Sequence, residues 1–167
     1  YGFWYDRKKQ TIKNVKDLQL MAAMGPPGGG RNKISRRLQS RFNIINVTFP
    51  SDNTIKRIFG TLINFKLADF EEEIKPLGDI MTQATLELYN AVSAEMLPTP
   101  AKPHYLFNLR DMSRVFQGLL QSNRDFLDNR DAMVRLWVHE CHRVFFDRLA
   151  TDDDRAWFQG VVGEKLT

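Results

Sequence analysis

The 167-residue sequence predicts a mainly α protein: the end of an α/β unit, with two strands and one short helix, followed by a bundle of five to six helices. Three observations carry that expectation. Residues 18–24 form a compact apolar run that stops at a loop of glycine and proline, as a buried strand does on leaving its sheet. Beyond Pro50 the spacing of apolar residues changes from alternation to the helical period. Charge divides at nearly the same place: residues 1–60 carry twelve Lys and Arg against three acids, residues 61–167 twelve against seventeen, or +9 and −5.

Each element has a local reason. Residues 1–16, with Trp4 and Tyr5 ahead of Asp6, Arg7, Lys8 and Lys9, read as an aromatic-anchored turn or hairpin. Leu18, Leu20, Met21, Ala22, Ala23 and Met24 suit a strand buried on both faces. It ends at Gly25, because Pro26 and Pro27 cannot donate ladder hydrogen bonds and Gly28, Gly29 and Gly30 open dihedrals closed to other residues. A basic helix follows. Arg31, Lys33, Arg36, Arg37 and Arg41 fall within eleven residues without an acid, the pattern of a surface that meets phosphate or an acidic partner. Residues 43–49, NIINVTF, alternate and are β-branched, which predicts a second strand ended by Pro50. Two strands alone leave open edges and apolar faces, so the chain reads as cut from something larger, with Pro50 dividing residues 1–50 from 51–167.

The helices announce themselves by caps and stripes. Ser51 caps a helix with Ile55, Ile58, Phe59, Leu62 and Ile63 on one face. A break at 66–69 precedes a short acidic helix with Phe70 and Ile74. Pro76 opens a longer one whose stripe is Leu77, Ile80, Met81, Ala84, Leu88 and Val92. Three prolines make residues 97–105 an extended connector. Asn108 caps a helix with Met112, Val115, Phe116, Leu119 and Leu120; Asp128 or Asn129 caps another that buries Met133, Trp137, Cys141, Val144, Phe145 and Leu149. Thr151 to Asp154 start a last helix with Trp157, Phe158, Val161 and Val162, their acids favourable to the helix dipole.

Composition narrows the function. No run approaches the roughly eighteen apolar residues of a membrane span, and the start lacks a secretory signal, so the expectation is a soluble intracellular protein with no membrane partner. Cys141 is the single cysteine and has no partner for an internal disulfide. Gly25 to Asn32, G-P-P-G-G-G-R-N, comes close to the phosphate-cradling G-x-x-x-x-G-K-[ST], but Arg31 replaces the lysine and Asn32 the magnesium-holding hydroxyl. In HECH, His139 and His142 are three apart where a helical zinc pair needs four, and no further His or Cys lies nearby in sequence. Asp152, Asp153 and Asp154 read as a cap. No nucleophile elbow or catalytic dyad is visible.

Arg110 stands out, because a cation in the first turn of a helix opposes the dipole. It is explained either by an outward reach to a phosphate group or by a salt bridge to Asp111 or a nearby acid.

In combination, AAMGPPGGGRN, the basic helix ending in RFN, LPTPAKPHYLFNLRDMSRVFQGLL and WVHECHRVFFDRL resemble a dynein heavy chain, and within it the third AAA+ module of the motor ring. The similarity runs from about Tyr5 to Leu149, and LPTPAKPHYLFNLRD is similar to the axonemal type. The resemblance implies the C-terminal end of an AAA+ α/β subdomain (1–50) and its helical lid (51–167). It implies ATP or ADP as ligand, with the nucleotide loop, the catalytic acid and the magnesium site on residues upstream of Tyr1, so that this stretch alone does not hydrolyse ATP. Gly25 falls where many AAA+ proteins have a polar sensor, and Asn32 stands in for that role. Arg37, with Arg41 second, matches the arginine offered to the neighbouring module's nucleotide, and Arg110 the lid sensor of the FNLRD motif. The implied partners are the neighbouring modules of the ring, with microtubules and dynein intermediate and light chains met through other parts of the chain; the implied place is the cilium or flagellum axoneme, with cytoplasm as fallback. The rivals are a basic helical nucleic-acid-binding module, which the resemblance does not imply, a helical scaffold without ligand and, third, an isolated nucleotide-binding enzyme.

Overall fold

An acidic residue and a basic turn close the first element. β1 (Gly2–Asp6) pairs antiparallel with β2 (Thr11–Val15), Trp4 opposite Lys13 and Tyr5 opposite Ile12. The Asp6 carboxylate accepts from the amides of Lys8 and Lys9 at 3.0 and 3.2 Å, and Gln10 turns the chain with a φ of 51°. The computed structural model describes residues 2–25, 33–127 and 129–166, and it divides into two units, residues 1–47 and 48–167.

In the first unit the hairpin predicted for residues 1–16 forms, and the basic helix is a single turn, α1 (Arg36–Gln39), capped by the Ser35 hydroxyl, which accepts from the Leu38 amide at 3.3 Å. The two strands expected at 18–24 and 43–49 do not form: neither stretch has regular structure, and Met21 and Val47 are 89% and 86% exposed. Their sequences are those of strands buried on both faces, and such a strand exists only where neighbours complete its ladder and helices cover it. Among the described residues the one sheet is the hairpin, which supplies neither.

In the second unit, five helices enclose one core: α2 (Asp52–Leu67), α3 (Leu77–Glu95), α4 (Leu109–Leu120), α5 (Arg130–Val144) and α6 (Asp152–Leu166), with a 3-10 turn at Phe146–Arg148. Ser51, Asn108 and Asn129 cap as their sequence positions predict. The short acidic helix does not form; residues 72–76 are turns that bury Phe70 and Ile74 without it. Ile80, placed on the buried stripe of α3, is exposed, as are Ile58 and Leu62 of α2. Their neighbours Ile55, Phe59 and Ile63 take the core side, where Phe59 stacks on Phe116 with ring centroids 4.5 Å apart.

One pair of polar groups inside the bundle is satisfied in a chain, while among the described residues the buried hydroxyls of Ser93 and Ser122 have no hydrogen-bond partner. The Thr85 hydroxyl donates to the Met81 carbonyl at 2.6 Å and accepts from the Trp137 indole at 2.8 Å, joining α3 to α5. Close helix contact needs a glycine at two places, Gly78 of α3, where a Cβ would lie 2.0 Å from Asn64 Oδ1 of α2, and Gly118. A Cβ on Gly118 of α4 would lie 2.0 Å from the Glu140 carboxylate of α5, and that carboxylate is held by Arg143 at 2.6 Å. Gly118→Ala is therefore expected to push α4 from α5 and cost about 1–3 kcal/mol, read as a lower urea midpoint. An unchanged midpoint would show that Glu140 swings away freely.

Candidate functional site

The start of α4 gathers several polar contacts, and its design is local first. Asn108 accepts from the Arg110 amide at 2.9 Å through its side chain, while the Asp111 carboxylate accepts from the Asn108 amide at 3.0 Å, closing a capping box. Asp111 is almost fully buried, yet its charge is answered: Arg148 Nη1 lies 3.0 Å and Arg114 Nη1 3.5 Å from Oδ1.

Those partners bear on the salt bridge expected between Arg110 and Asp111. The salt bridge to Asp111 is absent because the carboxylate is already committed to the cap and to two other arginines. Arg110 itself is exposed, and among the described residues its guanidinium has no hydrogen bond or ion pair. A permanently charged, planar set of donors thus stands free at a rigid helix start, suited to phosphate oxygens.

The connector before α4 is fixed from the far end of the unit. Arg148 Nη2 donates to the carbonyls of His104 and Leu106 at 2.8 and 3.2 Å, and its guanidinium lies 4.7 Å from the Phe107 ring centroid. Tyr105 donates its hydroxyl proton to Asp154 at 2.7 Å and accepts from the Ala150 amide at 2.7 Å; Lys102 also binds Asp154. The Lys102 ammonium first, then the Tyr105 hydroxyl, hold the Asp154 pKa down at about 2, below its ordinary 3.8, against the opposing effect of burial. Because the folded value is the lower one, this stabilisation is whole above the unfolded value and is lost as pH falls from 3.8 through 2. Asp154→Asn should therefore destabilise the neutral protein and flatten its acid unfolding curve in that window; parallel curves for the two proteins would count against it.

The remaining predicted residues belong to other elements, Arg37, Arg41 and Gly25 to the first unit. Arg37 lies in α1 and Arg41 in the turn after it, both exposed and, among the described residues, without side-chain partners. Gly25 is exposed in irregular chain; Asn32, with the glycine loop and Asp128, lies outside the described residues. The HECH residues face different surroundings: His139 is exposed, Cys141 is buried, its thiol pKa driven up by that burial, and His142 packs on Phe146 and Phe158. Among the described residues no group of three or more potential ligands could hold a metal, and no helix is long and apolar enough to cross a membrane. Arg148 went unnoticed in the sequence. An N-x-x-D box advertises Asp111, but nothing local tells that an arginine 37 positions later reaches it.

The part of the helical unit that carries the capped, arginine-bearing α4 matches a family model. Residues 81–167 match the AAA+ lid domain, and residues 1–50 the P-loop containing dynein motor region. The chain belongs to the AAA+ lid family. Over nearly its whole length it is similar to dynein heavy chains of the axonemal kind. It is 63% identical to dynein axonemal heavy chain 2 of Mus musculus over 99% of this chain. It is 52% identical to the dynein-1-beta heavy chain of the flagellar inner arm I1 complex of Chlamydomonas reinhardtii over 99%, and 47% identical to dynein axonemal heavy chain 12 of Rattus norvegicus over 93%. The chain spans about 4–5% of the length of these curated relatives. They lend no support to a nucleic-acid-binding module.

Proposed function

We propose that this chain is the end of the α/β subdomain (1–50) and the helical lid (51–167) of the third AAA+ module of an axonemal dynein heavy chain, a regulatory module in ATP-dependent movement along microtubules. In this reading ATP or ADP sits mainly on residues upstream of Tyr1, which also supply the magnesium, and the stretch alone does not hydrolyse ATP. The lid contributes Arg110 as a sensor of the bound phosphates, and α1 offers Arg37, with Arg41 second, to the nucleotide of the neighbouring module. Gly25 and Asn32 belong to the sensor loop of the module's own site. The partners are the neighbouring modules of the ring, with microtubules and the intermediate and light chains engaged elsewhere on the heavy chain, in the axoneme of a cilium or flagellum.

The observation that carries this reading is the free guanidinium of Arg110 beside a carboxylate that is fully occupied by others. A side chain left unpaired at the positive end of a helix gains nothing from its own fold, so its use lies in a ligand. It suits phosphate, and binding that exists only with the lid docked would bias lid orientation and pass as a rigid-body shift to neighbouring modules. In the full heavy-chain motor, Arg110→Ala should weaken ADP binding at this module about ten-fold, the order of one charge-assisted contact, without lowering the melting temperature. Unchanged affinity would remove Arg110 from the site.

A further inference from the structure

The side chain of Arg148 does more than neutralise a buried acid. It bonds the His104 and Leu106 carbonyls, covers the Phe107 ring and pairs with Asp111, so that one guanidinium grips the chain on both sides of Arg110. The grip is returned, since the His104 ring lies within hydrogen-bond distance of the Arg148 carbonyl at 3.0 Å. Arg148 belongs to the 3-10 turn that follows α5, and α6 holds the same connector through Asp154 and Tyr105. The start of α4 is thus fastened to the distal end of the lid and is not left to its own cap.

We propose that Arg148 is a positioning residue for Arg110, setting the direction in which that guanidinium leaves α4 and so its contact with nucleotide phosphate. This rests on the reading of Arg110 as a phosphate sensor. The reason lies in shape. A guanidinium has donors enough, in one plane, to serve two carbonyls and a carboxylate at once and still lie flat on a ring, whereas the single ammonium of lysine keeps the charge but cannot span them. Loosening the connector lets α4 start at a different angle, and errors of about 1 Å in a binding group can cost as much as 10²-fold.

A double-mutant cycle tests it in the full heavy-chain motor with its other nucleotide sites disabled, using a fluorescent ADP analogue as probe and thermal melting as control. Arg148→Lys is expected to weaken binding about ten-fold, like Arg110→Ala, and to add nothing further in the Arg110→Ala background. Equal losses in both backgrounds, or wild-type binding by Arg148→Lys, would overturn the role of Arg148 while leaving Arg110 in place. No loss from Arg110→Ala itself would overturn the sensor reading and this inference with it. Should Arg148→Lys fail to fold, Phe107→Leu loosens the same grip from its apolar side, and the same non-additivity is expected of it.

Discussion

Asp111→Ala is expected to lower the stability of the helical unit by about 3–5 kcal/mol, the cost of removing one partner from a buried ion pair. Three losses coincide at this residue. The Asn108 amide loses its acceptor in the capping box, Arg148 keeps a charge that is only 28% exposed and now unanswered, and Arg114 loses its contact. The carbonyl bonds of Arg148 remain available, so the connector at 104–108 should loosen without detaching. Asp111→Asn separates the contributions: an amide oxygen can still accept from Asn108 but carries no charge, and an intermediate loss is expected. Urea unfolding gives the energies, and amide exchange shows whether the damage is centred on residues 104–111. A loss under 1 kcal/mol for the alanine variant would mean that water replaces the carboxylate and that the pair is not truly buried.

The helical unit was legible because its signals are local. Ser51, Asn108 and Asn129 each cap from a position that the following stripe makes plain, and Met133, Trp137, Cys141, Val144 and Phe145 fall on one face by period alone. Where two apolar faces compete, period does not choose between them: Ile58 and Ile80 fit the stripes as written, yet the neighbouring helices meet α2 and α3 on the other flank. The strands expected at 18–24 and 43–49 failed for a related reason, since a parallel strand is defined by its neighbours and its own sequence states only that it tolerates burial. In the site, Arg110 was legible as a cation in the wrong place on a helix. Its freedom was not, because that depends on Arg148 taking the Asp111 charge across 37 residues of chain.

Arg37→Ala in the full heavy-chain motor is expected to reduce hydrolysis at the neighbouring module by roughly 10³-fold, the scale on which an arginine supplied to a phosphoryl-transfer site acts. The side chain stands on α1, a single turn set by the Ser35 cap, and it is exposed with no partner among the described residues. Nothing in the fold of its own unit holds it, so the substitution should leave stability within about 0.5 kcal/mol of the parent. Arg37→Lys should not restore the rate, because a single ammonium cannot offer the planar pair of donors that follows charge onto the equatorial oxygens. Arg41 is the internal comparison. It lies just past α1, its amide bonded to the Leu38 carbonyl at 3.1 Å, likewise exposed and of equal charge. A general loss of positive field would make Arg41→Ala as harmful as Arg37→Ala, whereas a specific finger makes Arg37 the more costly by at least ten-fold. Turnover of the two variants in motors with one active nucleotide site decides between them, and equal small effects would remove α1 from the neighbour's chemistry.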